Sequence, residues 1–376
     1  MPIRLNGSTS GYTEINNSAV GTNNTITLPG ANPTANGSFL LGATNGQLSF
    51  STDPTLTSLN GGPLAGFRNR IINGNFDIWQ RGTSFSNPAD NAYTADRWVV
   101  TYNGSGATRT VSQQIFNPGS TEAALGAVFF LRHAQTVAGS GGTYNTVNQR
   151  MEGVRTYEGQ AVTLSFYARG TSASLTLSTI QLRQNFGAGG SAEVFTTVAS
   201  SVVIAGSTFA RYTYTVTVPS ITGKTVGTSA SLELIFNLPV NNTFSLDIAS
   251  VQIEPGPVAT PFEQRPIGTE LALCQRYFNR IVTGPTGSAV TATECHLTFP
   301  AGVPMRTDPT FSLSAPAKVD WPNNSNFTQS SASISASFGT SNCAYNFLMG
   351  NFTGLTVHSR LVLRADGGAV SLSAEL

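Results

Sequence analysis

Three stretches in the middle of the chain place large apolar side chains at every second position. They are Val162, Leu164, Phe166 and Ala168, then Tyr212, Tyr214, Val216 and Val218, then Leu232, Leu234, Phe236 and Leu238. Threonine and serine fill much of the space between them. A period of two sends alternate side chains to opposite faces, so each stretch predicts a strand with one dry face and one wet face. The run SLDIASVQIE at 245–254 departs from the pattern, because Leu246 and Ile248 share one parity while Val251 and Ile253 share the other. A parity change within one strand predicts a bulge, or a strand covered on both sides.

The flanking regions read differently. Residues 1–66 hold short apolar groups between turn residues: TITLPG at 25–30, GSFLLG at 37–42 and NGQLSF at 45–50. Each predicts a strand of about four residues that cannot bury its own apolar face, so this segment is expected to need a partner or other copies of itself. Residues 67–99 then supply the first bulky core material, Ile71, Ile72, Phe76, Ile78, Trp79 and Trp98, around an Asn73-Gly74-Asn75 turn suited to positive φ. We read this stretch as the opening of a β-sandwich, with both tryptophans as core anchors. Glycine-rich loops at 139–143 and 187–191 join its strands.

EPGPVATPF at 254–262 cannot continue a sheet and marks a domain boundary. Beyond it, Thr269 is a candidate N-cap and Glu270 suits the positive end of a helix. Leu271, Cys274, Phe278 and Ile281 continue at helical spacing up to Gly284-Pro285. After residue 290 the pattern returns to short strands. The expected architecture is all-β: an extended N-terminal β-segment (1–66), a central jelly-roll-like β-sandwich (67–262), then one short helix and a small C-terminal β-sandwich (263–376).

Composition narrows the function. Charged residues make up 10% of the 376 positions, against ~25% in an average soluble domain, and the net charge is +1 with the basic residues scattered. That gives no footprint for nucleic acid, and no apolar run is long enough for membrane insertion. Three cysteines, Cys274, Cys295 and Cys343, make no disulfide framework. No signal peptide is expected at the start M-P-I-R-L-N-G-S, so a protein working outside the cell that made it would leave by another route, of which lysis with an assembled particle is one.

Catalytic signals are sparse. The 19 acidic residues form no local pair, and Asp77, Asp90 and Asp96 read as turn and hydrogen-bonding residues. His133, His296 and His358 lie apart, and adjacent Cys295 and His296 would point to opposite faces of a strand. No nucleophile elbow, Walker loop or zinc-binding HExxH occurs. We therefore expect no catalytic residue, no metal and no cofactor. Aromatic residues in or near loops are the alternative, since sugar rings stack on exposed rings. Tyr93, Tyr102, Tyr144 and Phe186 qualify, and so does Trp321 with Asn323, Asn324 and Asn326 in DWPNNSNF. Trp321, Asn323, Asn324 and Tyr144 are the candidate ligand-binding residues.

Three segments carry a family resemblance. LNGxxLAGFRNRIINGNFDIWQRGTSF followed by YTADRW, SVQIEPGPVATPFEQRPIGTELALCQRYF, and TLPGANPTANGSFLLGATNGQLSF each resemble parts of tail fibres and receptor-binding appendages of tailed bacteriophages. The sandwich also resembles a carbohydrate-binding module, with NGNFD at its start. That family often holds calcium through acidic residues of the last strand, but Ala249 and Ser250 stand at those positions here, so calcium is not carried over.

The resemblance implies a homotrimeric structural protein of the virion tail. Residues 1–66 would attach it to other tail proteins, and its β-domains would meet host cell-surface polysaccharide. Arg68 and Arg70, at the entry to the sandwich, are candidates for the subunit junction. The alternatives are a tailspike that depolymerises glycan, or a capsid-decorating cement protein.

Overall fold

The computed structural model describes residues 66–119, 126–170, 174–282, 285–300, 302–320, 326–329, 334–341, 344–363 and 369–376, with four short strands between residues 3 and 51. The chain forms two compact units, Met1–Leu64 and Ala65–Leu376. In the first, β1 (Ile3–Asn6) pairs with β2 (Tyr12–Ile15), and β3 (Phe39–Gly42) pairs with β4 (Leu48–Ser51), both antiparallel. The last two match the expected strands at 37–42 and 45–50. The one expected at 25–30 lies outside the described residues.

The second unit opens with a sandwich of twelve strands: β5 (Ser84–Ser86), β6 (Ala92–Tyr93), β7 (Trp98–Tyr102), β8 (Thr108–Ile115), β9 (Phe129–Val137), β10 (Asn145–Glu152), β11 (Ala161–Gly170), β12 (Ser174–Asn185), β13 (Val194–Ala205), β14 (Ala210–Thr217), β15 (Ser231–Asn237) and β16 (Phe244–Pro255). They form a front sheet in the order β13-β12-β15-β10-β7-β6 and a back sheet in the order β14-β11-β16-β9-β8-β5. Neighbours distant in sequence, β10 beside β15 and β11 beside β16, give the jelly-roll-like connectivity. The alternating residues meet between the sheets. Phe166 packs edge-on to Phe236 at 5.1 Å, and Leu164, Leu232, Leu234 and Ile253 are buried around them.

The parity change in β16 is a bulge. Ser165 pairs with Gln252 but Tyr167 pairs with Ala249, and Ser250 takes φ 49°. The strand is also buried along nearly its whole length, so both expected explanations hold.

Residues 67–79 are stitched to the sandwich by side-chain amides. Buried Asn69 donates to Val251 O at 3.2 Å and accepts from Ile71 N and Ile253 N. Gln149, pointing inward from β10, accepts from Ile72 N at 2.7 Å and donates to Ile72 O at 2.8 Å. Positive φ falls on Asn73 and not on Gly74. Gly74 is required for another reason: a Cβ there would lie 2.3 Å from Val251 O. Trp98 is fully buried against Phe76 at 4.9 Å, and Trp79 packs half-buried on the same core.

The expected helix is shorter than the spacing suggested. α1 spans Ile267–Gln275 with Pro266 at its N-cap, and Thr269 lies within it; Thr269 N and Glu270 N both donate to Pro266 O. Phe278 and Ile281 belong instead to β17 (Phe278–Ile281), paired with β26 (Val370–Ser373). Phe, Asn and Ile are middling helix formers and good or tolerable strand residues, so ladder pairing outweighs helical spacing there.

The rest of the unit comprises β18 (Thr286–Ala289), β19 (Cys295–Pro300), β20 (Thr310–Leu313), β21 (Lys318–Asp320), β22 (Asn326–Thr328), β23 (Ile334–Ser341), β24 (Ala344–Met349) and β25 (Arg360–Leu363). A three-stranded sheet, β17-β26-β20, and a seven-stranded one, β22-β21-β25-β18-β19-β24-β23, share a core that includes Leu297, Met349, Phe352, Leu361 and Leu372. Buried Arg97 pairs with Glu375, and Gln80 donates to Phe278 O at 2.7 Å, joining this region to the sandwich. The protein is thus all-β apart from α1 among the described residues.

Candidate functional site

Alternation on the front sheet fixes which side chains face outward. Trp98, Val100, Val147, Met151, Leu232, Leu234 and Phe236 enter the core, so the residues between them lie on the opposite face. Strand register then assembles three rows across the sheet. One runs Ser200, Thr179, Asn237, Thr146, Thr101; the next runs Thr197, Gln181, Ile235, Asn148, Val99, Tyr93; the third runs Phe195, Arg183, Glu233, Arg150. At about 4.8 Å per strand, each row spans on the order of 15–25 Å.

The first row is a network of hydroxyls and amides. Thr101 and Thr146 hydroxyls lie 2.6 Å apart, and Asn237 donates to Thr179 at 2.9 Å and to Gln181 Oε1 at 3.2 Å. In the central row, Ile235 is flanked by Gln181 and Asn148, whose amide nitrogens make no hydrogen bond to a described residue. Their oxygens accept from Asn237 and Thr146. Each amide therefore keeps two N–H donors in reserve. Among the described residues, the hydrogen bond from the central or first row to the C-terminal region is that of Tyr93, whose hydroxyl donates to Leu376 O at 3.1 Å.

The third row is charged and closed. Glu233 is fully buried and takes Arg183 Nε at 3.1 Å and Ser231 Oγ at 3.1 Å, with Arg150 Nε at 3.6 Å. Phe195 at the end of this row is half exposed. Tyr144 stands beyond the first row at the start of β10, exposed, with its hydroxyl 3.1 Å from Asp90 Oδ2; Asp90 Oδ1 accepts from Tyr102 N. The face thus carries neutral donors and acceptors beside two buried aliphatic side chains, Ile235 and Val99, rimmed by three aromatic rings. Such a surface suits a ligand of hydroxyls and CH faces.

The expected aromatic candidates separate. Tyr144 and Tyr93 border this face. Tyr102 and Phe186 are buried, Phe186 in a small cluster with Val154 and Ile221. Trp321, Asn323 and Asn324 lie outside the described residues. The residues that sequence reasoning missed, Asn148, Gln181, Asn237 and Phe195, carry one usable signal, the period of two.

Arg68 and Arg70 lie at a separate cleft of about 840 Å³, beneath the entry stretch and against α1. Arg68 pairs within its own chain with Glu254 at 3.1 Å, while Arg70 is exposed beside the Tyr157 hydroxyl. Among the described residues, the one carboxylate lining this cleft is Glu152, held by Arg276 at 3.0 Å and by the Tyr277 hydroxyl at 3.0 Å.

The three acidic residues read as structural make local contacts or sit in poorly solvated places. Asp96 accepts from Gln80 N at 3.1 Å, and burial pushes its carboxyl up to about 6. Burial, with Glu270 nearby, raises Asp77 to about 6 as well. No group of three or more His, Cys, Asp or Glu among the described residues is placed to hold a metal.

No family model matches the chain, and no curated protein does. Among solved structures it is similar to the enzymatically active domain of tailspike protein 4 of bacteriophage CBA120, at 15% identity and TM-score 0.31, over 56% of this chain and 25% of that one. It is also similar to the CBM22-1 xylan-binding domain of Paenibacillus barcinonensis Xyn10C, at 14% identity and TM-score 0.29, over 46% of this chain and 95% of that one. A CBM4 structure matches at 17% identity and TM-score 0.30, over 50% and 99% of the two chains.

Proposed function

We propose that this chain is a non-enzymatic adhesion protein of a bacteriophage tail, whose front-sheet face binds host-surface glycan. The observation that carries the binding is the central row, in which Ile235 sits between Gln181 and Asn148 with unused N–H donors on both sides. A donor with no partner in the chain is free to bond a ligand, and a sugar hydroxyl is a partner of the right kind. The sequence resemblance and the low charge support the virion setting. In this reading residues 1–66 attach the protein to the tail, and the two hairpins described there, each marginal alone, are completed in a homotrimer.

Binding is favoured over cleavage because hydrolysis of a glycosidic bond calls for two carboxylates about 5–10 Å apart. The large cleft is lined by Glu152 alone among described carboxylates, and the outward face by the closed Glu233 cluster. The test is calorimetric titration of the full chain with neutral oligosaccharides, including xylohexaose and a mixed-linked β-1,3-1,4-tetrasaccharide. Asn148→Ala with Gln181→Ala is expected to weaken binding at least about tenfold. Equal binding by that variant, or release of reducing ends abolished by a single Asp or Glu substitution, would overturn the proposal. Light scattering that finds a monomer would remove the trimer.

A further inference from the structure

Six arginines scattered in sequence between positions 68 and 276, Arg68, Arg70, Arg150, Arg155, Arg265 and Arg276, line the single cleft of about 840 Å³. They are six of the chain's 20 basic residues in a protein of net charge +1. The fold, and not the composition, makes this place positive. Three of them are held by carboxylates that do not line the cleft: Arg68 by Glu254, Arg150 by Glu233 and Arg265 by Glu270. Arg70 and Arg155 are exposed and make no ion pair with a described residue. Arg276 and Glu152 do pair, but their side chains are 38% and 44% exposed. A solvent-exposed pair is weak, so an incoming carboxylate competes with Glu152 for the Arg276 guanidinium. Tyr157, Leu273 and Tyr277 add apolar surface to the same walls.

We infer that this cleft binds a carboxylate-bearing saccharide, a uronate unit of the glycan taken by the adjoining sheet face; the inference rests on the glycan-binding reading. Guanidinium groups match carboxylates bidentately, and ring surfaces accept sugar CH faces. Arg150 connects the two places. It lines the cleft and also a smaller pocket of about 310 Å³ at the Glu233 end of the face, where its guanidinium donates to Leu376 O. A second copy of this chain is a poor occupant, because residues 1–64 hold two acidic residues, Glu14 and Asp53, and no acidic run occurs anywhere in the sequence.

The test titrates the full chain with tetragalacturonate and with its methyl ester, at low and high salt. The acid is expected to bind at least about tenfold tighter than the ester, with the preference shrinking as salt rises. Arg155→Ala is expected to reduce the preference and Arg70→Ala with Arg155→Ala to abolish it; both side chains are exposed, so the fold is retained, and binding of neutral oligosaccharides to the sheet face is unchanged. Equal affinity for acid and ester, or an undiminished preference in the double variant, would overturn the cleft assignment and leave the sheet face standing. Neutral oligosaccharides failing to bind, with the acid still preferred through Arg155, would remove the sheet-face reading and uphold the cleft. A glutamate-rich peptide of equal charge binding more tightly than tetragalacturonate would overturn the saccharide as ligand.

Discussion

The two outer faces of the sandwich obey the same alternation and come to opposite ends. On the back sheet, the outward carboxylates Asp247 and Glu254 are answered within the chain. Asp247, fully buried, takes Arg132 through two bonds of 2.7 and 2.8 Å and Arg169 through one of 2.7 Å. Beside it Phe116, Phe130 and Phe209 pack within 4.8–5.3 Å of one another, with the Arg169 guanidinium 4.7 Å from the Phe209 ring. Glu254 is strapped by Thr260 and Gln252. The front sheet leaves its central amides with donors to spare. An outward face becomes a site when its polar groups are not all answered from within, and parity alone does not decide that.

The largest effect that would break this contrast is at Asp247. Asp247→Ala leaves two guanidinium groups facing each other without their carboxylate. Because both arginines are partly exposed, the cost is expected at the lower end for a broken pair, about 3 kcal/mol by urea unfolding. A loss under about 1 kcal/mol would show that the back face is not held by its charges.

Acidity gives the next largest effect. Burial lowers His133 to about 3, whereas an unfolded histidine titrates near 6.5, so the folded state binds fewer protons below that pH and His133 weakens the fold as pH falls. At pH 5 this amounts to about 2 kcal/mol. Asp77 and Asp96 work in the opposite sense: raised to about 6, they take up protons in the folded state first and strengthen the fold as pH falls from about 6 toward 4. His133→Leu is therefore expected to gain stability relative to the parent as pH drops from 7 to 5, read by calorimetry. No difference in pH slope would mean that His133 is not kept neutral in the core.

The smallest effect sharpens the contrast most. Asn148→Ala and Gln181→Ala are each expected to cost about 1 kcal/mol of stability, the loss of the one hydrogen bond that each amide oxygen accepts, while abolishing most glycan affinity. A large loss of stability would make these residues part of the scaffold.

The strands were legible where apolar residues kept strict alternation, as in β11, β14 and β15, and the bulge in β16 was legible from its change of parity. β10 was not, because its inward positions include Asn145 and Gln149, polar residues that serve other segments: Asn145 donates to Pro239 O at 2.9 Å and Gln149 is bonded to Ile72. The end of α1 was hidden by a spacing that fits helix and twisted strand alike. The sheet face was illegible for a different reason. Asn148, Gln181 and Ile235 are far apart in the chain and become neighbours only through register, which no local pattern specifies.

The entry stretch has a mechanical meaning. If the chain is the fibre proposed above, tension on it would enter the sandwich through the backbone after Gly66. A few residues on, Asn69 is gripped at once by Val251, Ile253 and Glu263, Arg70 N bonds Ile253 O at 3.2 Å, and Gln149 holds both backbone groups of Ile72. These bonds share the load across two strands of different sheets instead of opening one after another. The stretch read in the sequence as the opening of the sandwich is also its anchorage, fixed to both sheets before the first strand begins.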